Sequence, residues 1–243
     1  MVNYSVAPVL VENIFSDEEY AFLYDQINKT PDQQIREVED TGYIARSDPT
    51  KNYIGKIIKK KVEELSGHDL EKYMVHHARY TLESNNIPRL YPHYDRGLEF
   101  ATFTISIILD STFDWDLFCE GTKFPVKKNQ GAFFSGSHQV HWRPPHEFKE
   151  NDYYDILVCQ FRVKTNTEHL TDEHRSTMDD KVGIHVSQYY RDYPPFGENG
   201  KEFLQEEYIV KDRSITELSE SLGMPAEALS YFLRKYEFPM KNK

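Results

Sequence analysis

The chain has 243 residues, with 29 lysines and arginines against 40 aspartates and glutamates, a formal charge of −11. That balance argues against a general polyanion binder, since phosphate affinity comes from clustered Lys and Arg. A hydrophobic content of 39% and an aromatic content of 14% exclude a disordered chain. The two cysteines, Cys119 and Cys159, cannot build a disulfide framework or a Cys-rich zinc site and read as buried hydrophobes. No run approaches the ~18 apolar residues of a membrane span. The opening residues lack a basic segment followed by an apolar one, so no secretory signal and a cytoplasmic protein are expected.

Val6–Ile14 reads as a strand. Ser16 is the N-cap of a helix running to about Asn28, with Glu19 completing a capping box. The polar stretch that follows has no clear period and reads as loop with some strand. In Lys51–Ser66, Ile54, Ile57, Ile58, Val62 and Leu65 recur at helical spacing, and Gly67 is a stop. The lysines of this helix read as its solvated face. From Tyr73 to Lys164 the texture is β: Phe103, Ile105, Ile107 and Leu109 alternate with polar residues, and Gly131–Phe134 and Asp155–Val163 are further short runs. Such spacing points to a sandwich or jelly roll. Residues 166–212 read as a polar, Pro/Gly/Tyr-rich connector. Ser214–Phe238 is a helix-turn-helix pattern broken at Gly223–Pro225, with Ser214 and Glu217 as a capping box.

Two histidine-bearing segments carry candidate chemistry. In Pro92–His93–Tyr94–Asp95, extended backbone points His93 and Asp95 to one side, where both can bind one ion. A lone His-x-Asp is a weak signal in a chain with ten histidines. The second segment runs from Gly131–Gly136 through Ser137–His138–Gln139–Val140–His141–Trp142–Arg143–Pro144–Pro145. A third ligand from it would give two histidines and a carboxylate on one face of a metal. That set leaves about three positions open, which suits iron(II) with O2 and a chelating co-substrate; zinc favours closed tetrahedral or three-His sets. The remaining histidines read as packed or solvated: at most one of His76 and His77 faces inward, and His146, His169, His174 and His185 have no ligand-like neighbours. Trp115 and Trp142 read as cover for the core or rim.

In order, the segments are ARY (Ala78–Tyr80), PHYD, FTISIILD (Phe103–Asp110), WDL (Trp115–Leu117), GAFFSG and HWRPP. Together they resemble the double-stranded β-helix of the iron(II)/2-oxoglutarate-dependent dioxygenases, nearest the prolyl-4-hydroxylase-like branch. The resemblance covers roughly residues 5–164. It implies a jelly-roll core flanked by N-terminal helices, over residues 1–165. Residues 166–212 would then connect it to a small C-terminal helical appendage, 213–243.

The resemblance also implies Fe(II) held by His93, Asp95 and His141, with His138 as the rival for the third place. It implies 2-oxoglutarate and O2 as co-substrates and a small-molecule or peptide substrate, prolyl-like by family. The family places a co-substrate-anchoring Arg or Lys about ten residues after the distal His, where this chain has Asn151. Arg143, on the same side of the strand as His141, takes that role first, with Lys149 and Arg162 in reserve. Tyr80 matches a position whose hydroxyl meets the co-substrate; as a bare residue it reads equally as core. The second C-terminal helix begins Pro-Ala-Glu-Ala, with its cations at the far end, which argues against nucleic-acid binding. Packing or an oligomer contact are the other roles for that pair. Two competing readings stay open: a non-enzymatic β-sandwich binding module with a helical partner contact, and a cupin-like metal enzyme that does not use 2-oxoglutarate.

Overall fold

A computed structural model describes residues 4–29, 32–38, 41–46, 51–82, 90–95, 102–164 and 170–240. They form two compact units, Met1–Met178 and Asp179–Lys243.

The first unit carries eleven strands among its described residues: β1 (Val9–Val11), β2 (Asp32–Val38), β3 (Thr41–Arg46), β4 (Leu70–Thr81), β5 (Leu90–His93), β6 (Thr102–Ser111), β7 (Leu117–Cys119), β8 (Thr122–Phe124), β9 (Gly131–Phe134), β10 (His141–Arg143) and β11 (Tyr153–Val163). They make a seven-stranded sheet, β1-β9-β6-β11-β4-β3-β2, and a four-stranded sheet, β5-β10-β7-β8. Every strand pairing among these is antiparallel.

Helices α1 (Asp17–Lys29) and α2 (Lys51–Ser66) lie where the capping box and the apolar period put them. Ser16 and Glu19 bond reciprocally, Glu19 N–H to Ser16 Oγ at 3.2 Å and Ser16 N–H to Glu19 Oε2 at 2.9 Å. Ile54, Ile58 and Val62 of α2 are fully buried with Leu23 of α1 and Phe103, Ile105, Ile107 and Leu109 of β6. Each such side chain contributes about 1.5–3 kcal/mol by leaving water. Leu65, at the end of the α2 stripe, is exposed instead. The expected first strand shortens to three residues: Pro8 lacks an N–H for the ladder, and Asn13 turns the chain with φ 47°.

The alternation in β6 has a second consequence. Its Thr104, Ser106 and Ile108 point away from α1 and α2, opposite Gln160, Val158 and Ile156 of β11. Ile108 joins Ala78, Tyr80, Phe134, Tyr154 and Ile156 from the large sheet and Leu117, Cys119 and Phe124 from the small one in a second core between the sheets. The polar residues of β6 therefore face the protein interior, where Thr104 and Ser106 are buried.

The expected connector is largely helical. It holds α3 (Asp172–Asp192), whose first seven residues belong to the first unit, and α4 (Gly200–Leu204), which continues into a π-helical turn over Gln205–Val210. The polar face of α3 hid its period: only Met178, Tyr189 and Tyr190 along its length are buried. In the second unit, α5 (Ile215–Leu222) starts at the Ser214/Glu217 capping box and stops at Gly223, φ 60°. That left-handed conformation suits glycine at a helix C-terminus. α6 (Ala226–Lys235) buries Ala228, Leu229, Phe232 and Leu233. Tyr190 donates to the Gly223 carbonyl at 2.5 Å.

Candidate metal centre

The two halves of the site meet because β5 and β10 pair directly, with His93 and His141 opposite each other in register. Asp95 follows β5 by two residues and is held by its own N–H, which donates to the Gly136 carbonyl at 2.9 Å. The His93 Nε2 and His141 Nε2 atoms stand 4.0 and 3.7 Å from the same oxygen, Asp95 Oδ1. One atom from each of the three residues lies within 4.8 Å of the other two, and no other such group of three occurs among the described residues.

The orientation of both imidazoles follows from the backbone. His93 Nδ1 is 2.8 Å from the Tyr91 carbonyl and His141 Nδ1 is 3.1 Å from the Gln139 carbonyl, each two residues back in its own strand. A carbonyl only accepts, so each ring donates from Nδ1 and turns its Nε2 toward Asp95. Second partners of this kind orient metal-binding imidazoles. His141 is buried against Phe134, ring centroids 4.5 Å apart. Burial, with the neighbouring His93 adding to it, holds its pKa down at about 4, so it stays neutral and able to ligate. His93 is more open, 36% exposed at its side chain, and marks the open side of the cluster.

Gly136 is required by this packing. A Cβ there would stand 2.0 Å from Asp95 Oδ2 and 2.5 Å from Thr104 Oγ1. Sequence reading missed the two side chains that meet the same oxygen: Thr104 Oγ1 donates to Asp95 Oδ2 at 3.1 Å and Gln160 Nε2 at 2.9 Å. Their only signal was a polar residue at alternate positions of otherwise apolar strands.

Arg143, two residues beyond His141 at the end of β10, is buried at 2% exposure. Its Nη1 donates to the Trp115 carbonyl and to Tyr154 Oη at 3.1 Å, and Nη2 reaches Ser106 Oγ at 3.5 Å. The guanidinium also faces the Trp115 and Tyr154 rings at 5.3 and 5.2 Å. None of these partners is an acid. A buried cation without a counter-charge is costly, several kcal/mol per ion, and its planar fork matches a carboxylate. The site residues therefore fit both a divalent metal and an anionic chelator beside it.

Tyr80 packs edge-on against Trp115 at 5.2 Å, in the cluster whose Trp115 and Tyr154 rings face Arg143. Trp115, expected as core cover, also positions Arg143 and donates its indole N–H to the Pro144 carbonyl at 2.7 Å. Trp142 stacks on Phe118 at 5.3 Å. The other candidates lie elsewhere. His138 is turned toward His174, 4.4 Å between ring centroids, with its Nδ1 2.8 Å from Ser137 Oγ. Lys149 is exposed, and Arg162 is paired with Glu71. His169 lies outside the described residues.

No protein-family model matches the chain, and no curated protein matches its sequence. Solved structures do match its fold. The non-heme alpha-ketoglutarate-dependent epimerase SnoN of nogalamycin biosynthesis is 14% identical with a TM-score of 0.52, over 65% of this chain and 78% of SnoN. A second SnoN structure, in complex with Fe3+, alpha-ketoglutarate and nogalamycin RO, gives 12%, 0.51, 65% and 79%. An oxidoreductase of the 2OG-Fe(II) oxygenase family from Burkholderia pseudomallei is 12% identical with a TM-score of 0.51, over 64% of this chain and 85% of its own. At these identities the likeness is one of fold, over about two thirds of this chain.

Proposed function

We propose that this chain is an Fe(II)- and 2-oxoglutarate-dependent oxygenase. The observation that carries the reading is the convergence of His93 Nε2, His141 Nε2 and Asp95 Oδ1 on one point. The buried cation of Arg143 on the same strand as His141, with no acid among its described hydrogen-bond partners, supports it. In this reading the two sheets are a double-stranded β-helix within residues 1–165. Residues 213–243 are a separate helical module.

His93, Asp95 and His141 hold the iron, two neutral imidazoles and one carboxylate giving the bound Fe(II) a net charge of +1 on the protein side. Arg143 takes the distal carboxylate of 2-oxoglutarate, aided by the Ser106 and Tyr154 hydroxyls beside it and by Tyr80. Iron, 2-oxoglutarate and O2 together supply the oxidising chemistry, with succinate and CO2 as co-products and hydroxylation as the default outcome. The chain orients these partners and keeps water from them with Phe134, Trp115 and Tyr154. His141, held neutral by burial, stays available to the metal across the physiological pH range. The resemblance of the motif set to the prolyl-4-hydroxylase-like branch makes an amino-acid or peptidyl side chain the substrate class. The SnoN complex supports a small molecule as the other, since there the same fold holds nogalamycin RO.

The test is an anaerobic titration of the apoprotein with Fe(II) and then 2-oxoglutarate, watching the visible charge-transfer band of a chelated 2-oxo acid. The band is expected in the wild type and absent in His141→Ala. Iron binding without a band favours the cupin-like metal enzyme. A folded protein that binds neither is a binding module.

A further inference from the structure

We infer that Thr104 and Gln160 are positioning residues that hold Asp95 to a single ligating oxygen. The inference rests on reading His93, Asp95 and His141 as a metal centre. A carboxylate has two oxygens and about four lone-pair directions, so an unrestrained Asp95 could turn either edge, or both oxygens, to a cation. Here both side-chain donors go to Oδ2. They come from neighbouring strands, with Thr104 of β6 and Gln160 of β11 opposite each other in register. Gly136 closes the third side, too near Oδ2 to admit even a methyl group. Oδ1 is left as the oxygen toward both imidazole Nε2 atoms.

Packing alone does not call for these residues. Ala78, Ile108 and Ile156 on the same inward face are apolar, and a buried donor left without a partner costs about 1–3 kcal/mol. Asp95 accounts for both polar side chains at once. Holding the carboxylate to one oxygen keeps the remaining metal positions open for a chelating co-substrate and O2, which a two-oxygen carboxylate would reduce by one.

Mn(II) binding to the full-length apoprotein, followed by the electron paramagnetic resonance of free Mn(II), tests this without turnover. Outer partners of metal ligands are worth about 10–100-fold in affinity. Thr104→Val and Gln160→Met, which keep the shape and remove the donor, should each weaken Mn(II) binding at least tenfold. Thr104→Ser, which keeps the hydroxyl, should bind near the wild-type level. Melting curves are recorded alongside. Folded Val and Met variants that bind Mn(II) like the wild type overturn the positioning role, as does loss of the folding transition in both, which would make the donors structural. A wild type that binds no more Mn(II) than His93→Ala overturns the metal centre itself, a separate result.

Discussion

Replacing Arg143 with methionine should move two quantities in opposite directions. The side chain is buried, and its described partners are the Trp115 carbonyl, the Tyr154 phenol and the Ser106 hydroxyl. Removing the charge sacrifices neutral-acceptor hydrogen bonds worth about 1 kcal/mol each. It also removes the desolvation cost of a buried ion with no acid among its described partners, several kcal/mol. The Trp115 carbonyl does not lose its last donor, since Tyr154 Oη donates to it at 3.0 Å. Methionine fills a similar volume. The apoprotein should therefore melt at the same temperature or a few degrees higher, at roughly 2–4 °C per kcal/mol for a chain of this size. Affinity for 2-oxoglutarate should fall. Removing one partner of a buried charge pair costs about 2–5 kcal/mol, which is roughly 30- to 4,000-fold. Differential scanning fluorimetry of the apoprotein and anaerobic titration with 2-oxoglutarate read the two effects. A variant that melts several degrees lower and binds 2-oxoglutarate unchanged would show that Arg143 is a structural cation, and the anchor would have to be sought in Lys149 or Arg162.

Further outcomes separate the rest of the argument. Gly136→Ala places a methyl group 2.0 Å from Asp95 Oδ2; it should cost about 1–3 kcal/mol of stability by overpacking and weaken metal binding, whereas Gly183→Ala in α3, with open space around it, should stabilise by about 0.4–1 kcal/mol. Equal melting temperatures for these two variants would refute the close approach. His141→Ala should abolish Mn(II) binding while His138→Ala retains it, because His138 faces His174; the reverse in a binding titration would exchange their roles. Phe232→Ala in the buried face of α6 should cost about 3–5 kcal/mol and raise hydrogen exchange within 179–243 while leaving Mn(II) affinity intact. A matching loss of metal binding would show that the two units unfold together.

Local chemistry carried much of this from the residues alone. Ser16 with Glu19 and Ser214 with Glu217 are complete signals, because a capping box is satisfied within four residues. The α2 stripe was legible for the same reason, its period being set by one helix's geometry. His93 and Asp95 share a side by backbone alternation, whatever they pack against. Helix α3 was not legible: with few buried positions along its 21 residues it has almost no apolar period to read. The resemblance favoured His141 over His138, but that His141 stands opposite His93 follows from the pairing of β10 with β5, a contact across 48 residues that no local pattern encodes. In the sequence Thr104 and Ser106 are only the polar half of an alternation, and Gln160 is a lone polar residue in a largely apolar run. Only the second sheet, closing over their face of the first, turned them inward, where a buried donor must find an acceptor and a buried arginine an anion. The sequence by itself determined the candidate site residues and the local elements. Tertiary structure decided which of them meet, because burial and long-range strand pairing belong to the whole fold.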